Sequence, residues 1–197
     1  MIAVIDYGAG NVGSVLKAVR YLGSEAQAAE SVRAIEAADK IILPGQGHFG
    51  SMMKALDERG LAASLRDVLS RGKPYFGICL GLQALYEGSE EAAGIPGLGI
   101  VPGRVRRFEG VFKVPHVGWS QLEIKRASKL LDGIPNGSFF YFCHSFYGPA
   151  SEATPGVTEY GQTFAAAVDL GNIQAVQFHP EKSGEEGLRV FRNFLQG

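Results

Sequence analysis

Three residues carry the clearest chemical potential: Cys79, His179 and Glu181. Cys79 ends the apolar run Tyr75-Phe-Gly-Ile78. It precedes Leu80-Gly-Leu-Gln-Ala-Leu85, which reads as the opening turns of a helix, and glycines stand at 77 and 81 on either side of it. A strand that bends sharply into a helix thrusts one side chain out of the bend. This is a nucleophile elbow, here with sulfur in place of a hydroxyl. Each flanking glycine removes a Cβ where backbone passes close to backbone. At the start of a helix the sulfur meets a partial positive charge that favours thiolate, and the N–H of Leu80 points outward to hold an oxyanion. Against this stands the common fate of a free cysteine, burial as a small hydrophobe.

A nucleophile needs a base. Gln174-Ala-Val-Gln-Phe-His-Pro-Glu-Lys182 places His179 at the end of an apolar strand, with Glu181 two residues on. In extended chain, residues two apart project to the same side, and Pro180 biases His179 toward that geometry. The carboxylate then orients the imidazole and stabilises its charged form while the other ring nitrogen faces the cysteine, a triad in the order Cys, His, Glu. The competing reading is a strand end and turn, with a surface acid capping the final helix.

The elements that must hold these groups can be read from periodicity. Ile2–Ile5, Glu25–Ala29, Lys40–Leu43 and Tyr75–Ile78 have the character of buried strands. Between them lie helical patterns: Val12 to Leu22 stopped by Gly23, Val32–Ala37, and Phe49–Ser70 interrupted at Gly60. Strands alternating with helices predict a parallel sheet covered on both faces. After Gly88 the helical period disappears. Val105–Phe108, Val111–Val114, Gln121–Ile124, Ser138–Phe146, Thr163–Val168 and Ile173–Phe178 read as strands of antiparallel hairpins, and a last helix spans Glu185–Leu195. The expected fold is α/β: a flavodoxin-like, open, mostly parallel sheet with helices on both faces and antiparallel hairpins added in the second half. No linker or repeat divides the chain, so residues 1–197 are expected to form one domain.

Composition narrows the function classes. Hydrophobic residues make up 46% of the 197, enough for a real core, and no run approaches the roughly 20 apolar residues of a membrane span. The net charge of −1, without long charge runs, suggests neither nucleic acid nor an anionic membrane as partner. Two cysteines are too few for a disulfide scaffold and lack metal-site spacing. With no basic leader at the start, a reducing cytoplasm is the expected location. Cys143, within a predicted strand, reads as an inert core residue, and His48, His116 and His144 read as shaping loops and strands.

One motif points elsewhere. Gly8, Gly10 and Gly13 spell G-x-G-x-x-G between a strand and a helix, with Glu30 where a ribose-binding acid would stand. A dinucleotide module is the function this predicts. The plainer reading is a glycine-rich turn with Asn11 capping the first helix.

Taken together, Gly77-Ile-Cys79-Leu-Gly81-Leu-Gln83 and Phe178-His179-Pro-Glu181 resemble the two signatures of the class I, triad-type glutamine amidotransferases, and Pro44-Gly45-Gln46-Gly47 resembles their oxyanion segment. Asp6-Tyr7-Gly8-Ala9-Gly10-Asn11, Pro115-His116-Val117-Gly118-Trp119, Phe142-Cys143-His144-Ser145-Phe146-Tyr147 and His179-Pro-Glu-Lys182-Ser183 are similar to the branch that serves imidazole glycerol phosphate synthase in histidine biosynthesis. The resemblance spans nearly the whole chain. It departs at Gln46, where that family usually has Val, and at Val117, Ser120 and Phe146.

The resemblance implies a glutaminase. Cys79 is the nucleophile, with His179 and Glu181 as base and orienting acid. Gly47 and Leu80 are the oxyanion donors, and Gly45, Gln83, Ser145 and Phe146 hold the substrate L-glutamine. It implies a heterodimer with a (β/α)8 cyclase subunit that receives the ammonia, with Asn11, Trp119 and Lys182 at the interface, and neither a metal nor an organic cofactor. Simple core packing is the alternative for Trp119. A glutaminase of the pyridoxal phosphate or anthranilate pathway and a stand-alone cysteine amidohydrolase are the rival functions.

Overall fold

The computed structural model describes residues 1–197. The first half follows the alternation seen in the sequence: β1 (Ile2–Ile5), α1 (Val12–Tyr21), β2 (Ala26–Ala29), α2 (Val32–Ala37), β3 (Lys40–Gly45), α3 (Phe49–Glu58), α4 (Leu61–Ser70), β4 (Tyr75–Cys79) and the single turn α5 (Leu80–Gln83). Gly60 separates α3 from α4 with a left-handed φ of 69°, which glycine adopts without a Cβ clash. The second half contains β5 (Tyr86–Ser89), β6 (Val101–Arg107), β7 (His116–Gln121), β8 (Glu123–Ile124), β9 (Phe139–His144), β10 (Phe146–Tyr147), β11 (Gly156–Tyr160), β12 (Gln162–Asp169), β13 (Ile173–Val176) and α6 (Gly184–Gln196).

Eight strands form the main sheet in the order β2-β1-β3-β4-β13-β12-β11-β8. The first five are parallel and the last three antiparallel. The parallel part has the flavodoxin-like strand order, in which ligands bind beyond the carboxyl ends of the strands. Alternation along β3 sends Ile41 and Leu43 into the core under α3 and α4, and Ile42 into the core under α1 and α6. Both faces are thus buried, and α6 is fixed from below by Phe76, stacked on Phe194 at 5.1 Å and edge-on to Phe191 at 5.6 Å.

Three expectations change. Val111–Val114 is not a strand: it lies between Gly110 and Pro115 with no neighbouring strand to pair with, Val111 is exposed, and Phe112 packs edge-on to Phe108 and Tyr160 instead. β13 is not merely part of a hairpin. It pairs antiparallel with β12 but parallel with β4, so it completes the parallel sheet beside the elbow. β5 and β11 escape the sequence pattern. β5 hides behind Gly88, which resembles a turn but sits where a Cβ would come within 3.0 Å of the Arg104 guanidinium, and β5 pairs parallel with β6 in a small separate sheet.

Candidate active site

The elbow forms because β4 runs into α5 without a loop. Cys79, in the bend, has φ 54° and ψ −103°, and it is the only non-glycine residue with positive φ. Such a conformation persists only where the surroundings over-determine it. Here they do: a Cβ at Gly81 would fall 2.0 Å from the Leu43 carbonyl oxygen, and one at Gly77 would fall 2.6 Å from that of Gly81. The first turn of α5 therefore lies directly against β3, and the Tyr75 hydroxyl ties it down by donating to the Gly81 carbonyl at 2.7 Å.

β13 delivers the histidine. Past Val176 the chain stays in register, the Gln177 N–H donating to Ala166 O at 2.9 Å and the His179 N–H to Tyr141 O at 2.8 Å. Ser183 closes the segment, its hydroxyl donating to the His179 carbonyl at 2.7 Å and accepting from the Tyr141 N–H at 3.0 Å. His179 is extended, as its place before Pro180 predicts, but Glu181 is not: Pro180–Lys182 form a 3-10 turn with proline at its start. The carboxylate reaches the ring from that turn, with Nδ1 3.0 Å from Glu181 Oε1. Asn11, at the start of α1, makes no cap with its side chain; its amide donates to the same carboxylate oxygen at 3.5 Å.

Cys79 and His179 line one cavity of about 340 Å³ together with Gln46, Gly47, Leu80 and Gln83, and with Glu91 and Lys182. That volume lies within the range of small-molecule sites. Burial disfavours the imidazolium of His179, but hydrogen bonding to Cys79, and next to Glu181, outweighs it, and the ring is pushed up to about 10. His179 thus stands between Cys79 and Glu181 as a ring that carries a proton, at the wall of the cavity.

Ser145 and Phe146 border the same cavity. Gly45 is not among its lining residues; it pairs with Cys79 across β3 and β4 and lies under Leu80. Gln83 donates from Nε2 to Phe146 O at 2.8 Å and to Gln177 Oε1 at 3.1 Å. With both amide hydrogens engaged, it offers a ligand only its oxygen.

His116 and His144 are buried beside the cavity. His144 Nδ1 lies 2.8 Å from Phe146 O, which can only accept, so the proton is on Nδ1. His144 Nε2 then accepts from His116 Nδ1 at 3.2 Å, and His116 Nε2 accepts from the Ser120 hydroxyl at 2.8 Å. Both rings are neutral, and the chain of bonds runs from Ser120 on β7 to the Phe146 carbonyl beside the cavity. His48 caps α3, its Nδ1 accepting from the Gly50 N–H.

Cys143 is a correction. It is exposed and borders the cavity because β9 pairs only with β7, which leaves one face of that ribbon uncovered. Phe140, Phe142 and His144 point inward while Phe139, Tyr141 and Cys143 alternate outward. Trp119, opposite Tyr141 on the same ribbon, is 55% exposed, so core packing is not its role. Lys182 lies over the Tyr141 ring at 5.7 Å. The sequence reading missed Glu91, Ser183 and Gln177. The last two flank the His-Pro-Glu segment, where a buried polar residue at the end of an apolar strand was the available signal.

The glutamine amidotransferase class-I family model matches residues 3–197. The chain belongs to the class-I glutamine amidotransferases. It is 48% identical to the imidazole glycerol phosphate synthase subunit HisH of Methanothermobacter thermautotrophicus over 100% of this chain and 98% of that one. It is 47% identical to the subunit of the same name from Moorella thermoacetica, over 98% and 93%. A solved glutamine amidotransferase superposes with a TM-score of 0.77 at 22% identity, covering 100% and 98% of the two chains, and PurLQS from Thermotoga maritima with 0.75 at 20%, covering 99% and 97%. Gly8 and Gly10 take left-handed φ values of 93° and 98° ahead of α1, while Gly13 lies within that helix. The two loop glycines turn the chain so that Asn11 meets the carboxylate beside His179.

Proposed function

We propose that this amidotransferase is the glutaminase subunit of an imidazole glycerol phosphate synthase, that residues 1–197 act as one domain, and that it works in the cytoplasm. The observation that carries the chemistry is the line Cys79–His179–Glu181 opening into a cavity sized for an amino acid. Relatives at 45–48% identity over almost their full length support the pathway. The two unpaired cysteines suit a reducing compartment. No helix is long and apolar enough to cross a membrane.

The Cys79 thiolate attacks the side-chain carbonyl carbon of L-glutamine, and the N–H groups of Gly47 and Leu80 receive the oxyanion; one such donor is worth roughly 3 kcal/mol. His179 then gives its proton to the leaving nitrogen, the C–N bond breaks, and ammonia departs from a thioester. Neutral His179 next takes a proton from water, whose hydroxide attacks the thioester. Collapse releases glutamate and restores the thiolate–imidazolium pair. Glu181 keeps the ring aligned in both halves. The Gln83 oxygen and the Glu91 carboxylate suit the substrate's ammonium group, the Ser145 and Phe146 backbone borders the pocket around it, and Gly45 acts from behind, by letting Leu80 lie close against β3.

The partner is a (β/α)8 cyclase subunit, bound as a heterodimer. Val117, Trp119 and Phe139 stand exposed on the β7–β9 ribbon, whose edge at Cys143 borders the cavity; Lys182 lies over Tyr141 of the same ribbon, and Asn11 bonds to Glu181, the neighbour of Lys182 in the chain. An apolar ribbon covered by the partner gives ammonia a route away from water, where it would be protonated. Glutaminase assays with and without the cyclase subunit and its nucleotide test this. A strong stimulation by the liganded partner is expected. Full turnover by the isolated chain, indifferent to the partner, would point to a stand-alone amidohydrolase.

A further inference from the structure

Gln177 has no part in the reaction as described. Its side chain is wholly buried, yet both ends of its amide are engaged within the site: Nε2 donates to Cys79 Sγ at 3.5 Å, and Oε1 accepts from Gln83 Nε2 at 3.1 Å. The orientation is set by the network. Gln83 Nε2 also donates to the Phe146 carbonyl at 2.8 Å, so it is the donor of that pair. The Gln177 oxygen must face it, which leaves the Gln177 N–H for the sulfur. The backbone fixes the side chain's origin, since the Gln177 N–H pairs with Ala166 O.

We propose that Gln177 is a further member of the catalytic machinery, donating a hydrogen bond that stabilises and aims the Cys79 thiolate while its carbonyl fixes Gln83. This rests on Cys79 being the nucleophile. A thiolate 6% exposed has lost most of its water, and His179 supplies only one partner. A carboxamide adds a second donor that is too weak an acid to protonate the sulfur. The charge on sulfur vanishes in the thioester and returns when the thiolate leaves, so the same bond eases the hydrolytic half of the cycle.

The test uses a Cys143→Ser parent in which Cys79 is the only thiol, and reads the pH dependence of its alkylation by iodoacetamide alongside glutaminase kinetics with the cyclase subunit. Gln177→Glu keeps an acceptor for Gln83 but turns oxygen toward the sulfur; Gln177→Leu removes both bonds. Both should raise the alkylation midpoint by about one pH unit, a tenfold shift in the thiol–thiolate equilibrium. Both should also lower kcat about tenfold, and only Gln177→Leu should raise KM as well. Alkylation profiles that superimpose on the parent's in both variants would overturn the proposal, whatever happens to melting temperature. Should Gln177→Leu fail to fold, the side-chain amide resonance of Gln177 in the unaltered protein must move as Cys79 titrates. A stationary resonance would equally overturn it. Parent protein that keeps its glutaminase activity after complete alkylation would instead remove the nucleophile assignment itself.

Discussion

Two histidine environments lie within one pocket region and end in opposite charge states. His179, His116 and His144 are similarly buried, at 3%, 2% and 6% exposure. Burial alone pushes each ring toward neutrality, and for His116 it lowers the value to about 4. His144 falls to about 3, through burial foremost, offset in part by its bond to the Phe146 carbonyl and deepened by His116 and His179 nearby. His179 meets the same penalty but faces sulfur on one side and a carboxylate on the other, and rises to about 10. Partners, not depth, decide which ring carries a proton. The site thereby keeps one charged ring beside Cys79 and two neutral rings that hold the Phe146 carbonyl, without a second cation beside the first.

That contrast can be broken in order of severity. His179→Asn removes the proton carrier and should lower glutaminase turnover by roughly 10²–10⁴-fold, measured with the cyclase subunit present, while folding persists. Next, the His179 titration followed by NMR should drop from about 10 toward the ordinary 6.5 in Cys79→Ala, and drop less in Glu181→Gln, because the contact with sulfur is the larger of the two raising influences.

Denaturation against pH should separate the two environments by sign. His116 and His144 bind protons more readily unfolded than folded, so their share of stability is full above pH 6.5 and is lost as pH falls toward 4 and then 3. His179 does the reverse: its contribution is complete below pH 6.5 and is lost as pH rises through about 10. Each ring contributes a slope of up to about 1.4 kcal/mol per pH unit. Replacing His144 with Asn should flatten the acid limb only. The mildest change is Trp119→Ala. Exposed on the ribbon, it should leave the melting temperature of the chain almost unchanged and weaken cyclase binding by about 1–2 kcal/mol, measured by titration calorimetry.

The elbow was legible because its geometry leaves a local mark: glycines at 77 and 81 are required by the carbonyls of Leu43 and Gly81 that a Cβ would strike. The parallel half of the sheet was legible because strands buried on both faces read as unbroken apolar runs. Contacts made far along the chain were not. Gln177 is two residues from His179, yet its bonds to Cys79 and Gln83 span 98 and 94 positions, and nothing local announces them. Asn11 looked like a helix cap because its partner, Glu181, lies 170 residues away. The Val111–Val114 run has strand-forming residues but no strand to receive it, and Cys143 seemed a core residue because period-two alternation does not say which face of a two-stranded ribbon is covered.

The most direct measurement compares Cys79→Ala with the unaltered chain, each assembled with the cyclase subunit and supplied in turn with glutamine and with an ammonium salt. The variant should form no product from glutamine above background while matching the unaltered complex on ammonium. Undiminished synthesis from glutamine by the variant would contradict the role assigned to the sulfur and the triad built on it.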